Sequence, residues 1–216
     1  MTPLLTAGIV AVAVAAIVNW YAVARGFPRL ERPAKLAVPA ILIAVTLLSG
    51  PVASPGIVLL VAALGASLAG DWLLLPPERF TGGLAAFLLA HLAYLAVFLL
   101  DPVDLGLAIL GTVGAVLVVA AIGRRIIAGA AMRGLRAPVA AYLGVISLMA
   151  IAATASGSAV AALGAWLFVA SDARLGWSRF VTRVRPSAGI DRLWVMVPYH
   201  LAQVLLTMAI LVGQAS

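Results

Sequence analysis

The stretch Leu105-Gly106-Leu107-Ala108-Ile109-Leu110-Gly111-Thr112-Val113-Gly114-Ala115-Val116-Leu117-Val118-Val119-Ala120-Ala121-Ile122-Gly123 holds no charged side chain; Asp104 precedes it and Arg124-Arg125 follows. A run of this length without charge is long enough to cross the hydrocarbon core of a bilayer as a helix. It is not an isolated feature. Of the 216 residues, 65% are hydrophobic and 10% are charged, where a soluble domain carries about 25% charged residues. Mean hydropathy is +1.19. A water-soluble fold cannot cover so much apolar surface, so lipid must cover it.

Working outward from this run gives eight spans, at about 3–24, 36–53, 56–76, 82–100, 104–123, 138–155, 158–178 and 192–213. The breaks between them carry turn chemistry: Gly50-Pro51 with Pro55-Gly56, Pro76-Pro77, Asp101-Pro102, and Ser156-Gly157-Ser158. The expected fold is an all-α integral membrane bundle, a single domain over 1–216, with a hint of two parallel four-helix repeats. Each half has a Gly-Ala start, an Asp (Asp71, Asp172), a Leu three positions later, a Phe (Phe80, Phe180) and then a His-bearing span. The first five residues lack Lys and Arg, so the first apolar segment reads as a retained span rather than a cleaved leader.

All fourteen basic residues fall in alternate loops. They are Arg25, Arg29, Arg32 and Lys35; Arg79; Arg124, Arg125, Arg133 and Arg136; and Arg174, Arg179, Arg183, Arg185 and Arg192. The intervening loops hold only Asp101 and Asp104. The bias of positive charge towards the cytoplasm predicts that the basic loops are cytoplasmic and that both termini face outward. The net charge of +7 therefore reads as topology and attraction to anionic lipid rather than nucleic-acid binding. Cysteine is absent, which excludes disulfides, thiolate catalysis and Cys-ligated metals.

Two spans carry a carboxyl at membrane depth, Asp71 and Asp172. Each such group costs at least ~2.5 kcal/mol on insertion scales and persists where it is paired, protonated or hydrated. Each is followed by a span with one of the two histidines: His91 with Tyr94, and His200 with Tyr199 and Gln203. Residues three apart share a helix face, so 91/94 and 200/203 point the same way. The span ends place both Asp residues about 7–8 Å, and both His residues about 12–14 Å, from the basic face. That agreement predicts one cavity with Asp71 and Asp172 as an acid/base pair. His91, Tyr94, Tyr199, His200, Gln203, Ser67 and Ser171 would orient it, and Arg174 lies one turn from Asp172 as a site cation. No His-Glu-x-x-His or similar ligand motif occurs, and the expected site holds no metal and no cofactor.

The run Ser67-Leu68-Ala69-Gly70-Asp71-Trp72-Leu73-Leu74 resembles the first signature of the YhhN family, the lysoplasmalogenases. Phe87-Leu88-Leu89-Ala90-His91-Leu92-Ala93-Tyr94 is similar to its next element. Gly164 to Asp172 resembles the second Asp signature, and Tyr199-His200-Leu201-Ala202-Gln203 the closing one. The resemblance implies a membrane hydrolase that cleaves the vinyl-ether bond of lysoplasmalogens. The products would be a fatty aldehyde and glycerophosphoethanolamine or glycerophosphocholine. The substrate would be a lysophospholipid drawn from the membrane, with oligomeric state left open. Intramembrane Asp and His also suit a proton-coupled transporter of small molecules or lipids, the alternative reading of these residues.

Overall fold

A computed structural model describes residues 3–49, 53–182 and 189–214. The break proposed at Gly50-Pro51, and the charges of Arg183 and Arg185, lie outside the described residues. Among the described residues nine α-helices follow in order: α1 (Pro3–Arg25), α2 (Pro28–Ser49), α3 (Pro55–Leu73), α4 (Phe80–Phe98), α5 (Leu105–Val118), α6 (Arg124–Ala131), α7 (Arg136–Ala155), α8 (Ala159–Phe180) and α9 (Ile190–Gly213). A π-helical turn over Val119–Gly123 joins α5 to α6 into one continuous rod. Eight helical segments among the described residues are thus long and apolar enough to cross a membrane. The chain is an all-helical, multi-pass membrane protein.

The stops and starts have local causes. Pro55 opens α3, where a missing N–H costs nothing and φ is already helical. Asp104 and Ser158 cap α5 and α8, accepting from the amides of Leu107 and Ala161, as short oxygen-bearing side chains do at helix starts. Gly26 turns the chain between α1 and α2 with φ +68°, a conformation open to a residue without Cβ.

Two spans differ from the sequence reading. The second begins at Pro28 rather than near 36, so Glu31 and Lys35 are buried helical residues and not loop charges. A hydropathy criterion rejects the first two turns, which hold Arg29, Glu31, Arg32 and Lys35. The proline at N1 starts the helix regardless. The fifth span does not stop at Gly123: the π-helical turn absorbs the glycine, and the helix runs on through Arg124 and Arg125 to Ala131.

Helices α3 and α4 pack along each other, as do α8 and α9, while α4 lies against α7 and α9 touches α1, α2 and α3. Gly129 permits the closest approach of α6 to the end of α8. A Cβ there would stand 2.1 Å from the Phe180 carbonyl oxygen. The apolar side chains of α5 (Leu105, Ile109, Leu110, Val116, Leu117) face outward, which in lipid is their proper environment. Buried polar groups gather in the interior of the other spans: Lys35, Ser67, Asp71, His91, Ser171, His200 and Gln203. Contacts among Glu31, Arg192, Arg179, Phe80, Arg125 and Trp177 tie the basic ends of α2, α4, α6, α8 and α9 together at one end of the bundle.

Candidate functional site

The first half of the site is a chain of polar groups through α2, α3, α9 and α4. Asp71, one turn from the end of α3, receives Lys35 Nζ on Oδ1 at 3.1 Å and the Tyr199 hydroxyl on Oδ2 at 2.6 Å. The Tyr199 oxygen accepts from Gln203 Nε2 at 3.2 Å, and Gln203 Oε1 accepts from the Tyr94 hydroxyl at 2.6 Å. Asp71 is 1% exposed. An ionised carboxylate is tolerated at such burial when a cation and further donors meet it, and here Lys35 and Tyr199 do so.

The second half is built on α8, α7 and α4. Asp172 Oδ2 accepts a short hydrogen bond from the Tyr142 hydroxyl and faces His91 Nε2 at 3.9 Å. The His91 ring stands edge-on to Tyr142 at 5.3 Å and to Phe168 at 4.5 Å. No Lys or Arg pairs with Asp172 among the described residues. Phe87, Phe168 and Tyr199 interlock edge to face between the two halves, with centroids 5.4 to 6.3 Å apart. Tyr199, which holds Asp71, and His91, which faces Asp172, both pack on the Phe168 ring.

Two adjoining cavities reach this constellation. An outer one of about 270 Å³ is walled by Lys35, Pro76, Ser178, Arg179, Asp191 and Arg192, among others. An inner one of about 40 Å³ is lined by Phe87, Ile126, Val139, Leu143 and Phe180, with Tyr142 and Asp172 in its wall. Leu74, Phe80 and Leu175 belong to both. The arrangement is polar at the basic end and apolar within, with a carboxyl set into the apolar part. Among the described residues no three His, Asp or Glu side chains gather as a metal site.

Most of the residues singled out in the sequence meet here, but not all. Asp71, Tyr94, Tyr199 and Gln203 form one connected group, and Asp172 and His91 the other. His200 turns away towards α1: its ring stacks on Trp20 at 6.1 Å, and neither ring nitrogen has a hydrogen-bond partner among the described residues. Ser67 lies one turn before Asp71 with its hydroxyl unpartnered among the described residues. Ser171 donates to the Val195 carbonyl at 3.0 Å, in the turn of α9 before Pro198. Arg174 does not turn to Asp172; it binds Asp191 at 3.1 Å.

The two Asp residues do not sit equally far from their helix ends. α3 closes within a turn of Asp71, whereas α8 continues for more than two turns past Asp172. Sequence reasoning missed Lys35 and Tyr142. Lys35 has a signal: it is the only lysine among thirteen arginines. Lysine is a compact charge able to approach a single carboxylate oxygen. Tyr142 has none beyond being the one aromatic residue of α7.

The chain matches the YhhN family over residues 30–210. It is 36% identical to Lysoplasmalogenase TMEM86B of Rattus norvegicus over 153 residues, which are 71% of this chain and 61% of that protein. The Mus musculus protein of the same name is 35% identical over 71% of this chain and 63% of its own length. That of Homo sapiens is 34% identical over 71% and 63%. The chain thus spans about three fifths of the curated relatives it matches. No solved structure matches it.

Proposed function

The chain belongs to the YhhN family, and from that premise we propose that it is a membrane lysoplasmalogenase. It would hydrolyse the vinyl ether of 1-alkenyl-glycerophosphoethanolamine or -choline to a fatty aldehyde and the glycerophospho-base. The name carried by relatives at 34–36% identity supports this reading. The observation that carries it is the unequal setting of two neighbouring carboxyl groups. Asp71 is held by Lys35 and Tyr199, and Asp172 stands in the wall of an apolar cavity with no Lys or Arg paired to it among the described residues.

A vinyl ether is labile to acid and stable to base. Asp172 is the group positioned to carry a proton and touch substrate. It protonates the alkene carbon distal to the ether oxygen, giving an oxocarbenium ion and a carboxylate beside it. Water adds to the carbon next to oxygen and gives its proton to Asp172, which Tyr142 and His91 flank. The hemiacetal then collapses: its hydroxyl proton passes to the departing glycerol oxygen, the C–O bond breaks and the aldehyde leaves. Asp71 acts through its neighbours. Ionised by Lys35, it fixes Tyr199 and keeps a negative charge near the developing cation. The basic end of the bundle is the cytoplasmic one in this reading, with both termini outside, and the substrate enters from that leaflet.

The test is aldehyde release from a lysoplasmalogen by protein purified in detergent. Activity lost in both Asp71→Asn and Asp172→Asn, with normal expression, sustains the proposal. Activity retained in Asp172→Asn ends it.

A further inference from the structure

The outer cavity carries more charge than it shows. Lys35, Arg179, Arg192 and Asp191 stand in its wall, and three of these four are already compensated. Lys35 is paired with Asp71 at 3.1 Å. Both guanidinium nitrogens of Arg192 are taken by Glu31, one at 3.0 Å and the other closer. Asp191 is taken by Arg174 at 3.1 Å. Arg179 alone has no acidic partner among the described residues. Its guanidinium lies over the Phe80 ring, 4.7 Å from the centroid, and Phe80 is one of the three residues shared by the outer and inner cavities.

One uncompensated cation, fixed by an aromatic face at the junction of a polar and an apolar cavity, defines what can occupy them. We propose that Arg179 is the seat of a single phosphodiester charge. The outer cavity would then be a subsite for the headgroup of a single-chain phosphodiester lipid whose first chain carbons reach the inner cavity. Arg suits the task because its planar fork offers two parallel N–H groups to two phosphate oxygens while its face stays stacked on a ring. A phosphomonoester brings close to two charges at neutral pH. Its second charge would have to be desolvated against cations already satisfied, so it gains nothing over the diester. The identity of the lipid as a reaction substrate rests on the function proposed above; the phosphodiester subsite itself does not.

The experiment therefore reads binding and not turnover. A 1-alkyl lysophosphocholine has a saturated ether in place of the vinyl ether and cannot be hydrolysed. Its affinity for the detergent-purified protein is compared by tryptophan fluorescence with that of the uncharged 1-alkylglycerol, of the 1-alkyl phosphomonoester and of free glycerophosphocholine. In the wild type the phosphodiester lipid should bind about tenfold or more tighter than the alkylglycerol, the range of one charge-assisted bidentate contact. Free glycerophosphocholine, lacking the chain, should bind more weakly than the lipid. In Arg179→Gln the ratio between phosphodiester lipid and alkylglycerol should collapse towards one. Arg179→Lys should restore it in part, and Arg124→Gln, a basic residue of the same end outside the cavity, should keep the wild-type ratio. A ratio unchanged in Arg179→Gln overturns the proposal, as does a phosphomonoester that binds tenfold tighter than the diester. Loss of binding to every ligand together with loss of the folded, monodisperse peak is read against Arg179→Lys, which keeps a positive charge near Phe80 but not the stack; if the charge-preserving variant is folded and also fails to discriminate, the proposal is overturned. A protein that binds with this selectivity but releases no aldehyde keeps the subsite and loses the hydrolase.

Discussion

Lys35 Nζ stands 3.1 Å from Asp71 Oδ1, with the two side chains 9% and 1% exposed. This pair, reaching from α2 to α3, joins the start of one span to the end of the next. Removing one partner of a buried pair leaves the other charge stranded, at about 3–5 kcal/mol. Lys35→Met and Asp71→Asn should each lower stability on that scale in detergent unfolding. The double variant should be more stable than the sum of the two losses would allow. Strict additivity would show that the pair contributes no coupling.

Asp172→Asn preserves shape and removes the transferable proton. Turnover of a lysoplasmalogen should fall by about 10²–10⁴-fold, the usual contribution of a general acid, with little change in substrate affinity. A variant that instead raises KM at constant kcat would place Asp172 in binding.

Tyr142→Phe deletes the hydroxyl that meets Asp172, whereas Tyr94→Phe deletes the far end of the Tyr94–Gln203–Tyr199 chain. The first should lower kcat more than stability. The second should cost about 1–3 kcal/mol of stability by leaving Gln203 Oε1 unsatisfied, with a smaller effect on kcat. The comparison needs both rates and both unfolding midpoints.

Gly129→Ala places a methyl where the Phe180 carbonyl stands. Backbone cannot yield as a flexible side chain can, so the helices must part, at about 1–3 kcal/mol. Unfolding temperature should drop, and activity should drop with it, because Phe180 lines the inner cavity.

The absence of cysteine makes topology easy to measure. Arg133→Cys should react with a membrane-impermeant maleimide only once the cytoplasmic face is opened, and Asp101→Cys from the outside of intact cells. The reverse pattern would invert the assigned orientation.

The spans were legible because lipid exposure leaves long apolar runs, and the turns between them use Pro, Gly, Asp and Ser for backbone reasons that need no tertiary context. The errors at α2 and α6 arise where charged side chains sit on a helix that continues into the polar zone. Hydropathy marks the bilayer there, and not the end of the helix. At the site, Asp71, His91, Tyr94, Asp172, Tyr199 and Gln203 stand out because polar groups at such depth are costly. Lys35 was hidden by its arginine neighbours, and Arg174 was assigned a partner by proximity along the helix. Which acid a guanidinium reaches depends on the neighbouring span: Asp191 sits at the start of α9, facing it. His200 shows the same limit. Its spacing from Gln203 gives a face, but only packing decides that this face meets Trp20.

The joined rod from Leu105 to Ala131 is 27 residues long, about 40 Å at helical rise, against roughly 30 Å of hydrocarbon. Tilt or protrusion must absorb the difference. Its last turns, which supply Ile126 to the inner cavity, therefore extend a greasy wall towards the level of the phosphates. Under the function proposed above, that wall would keep the substrate's chain in contact with apolar side chains on its way to the inner cavity.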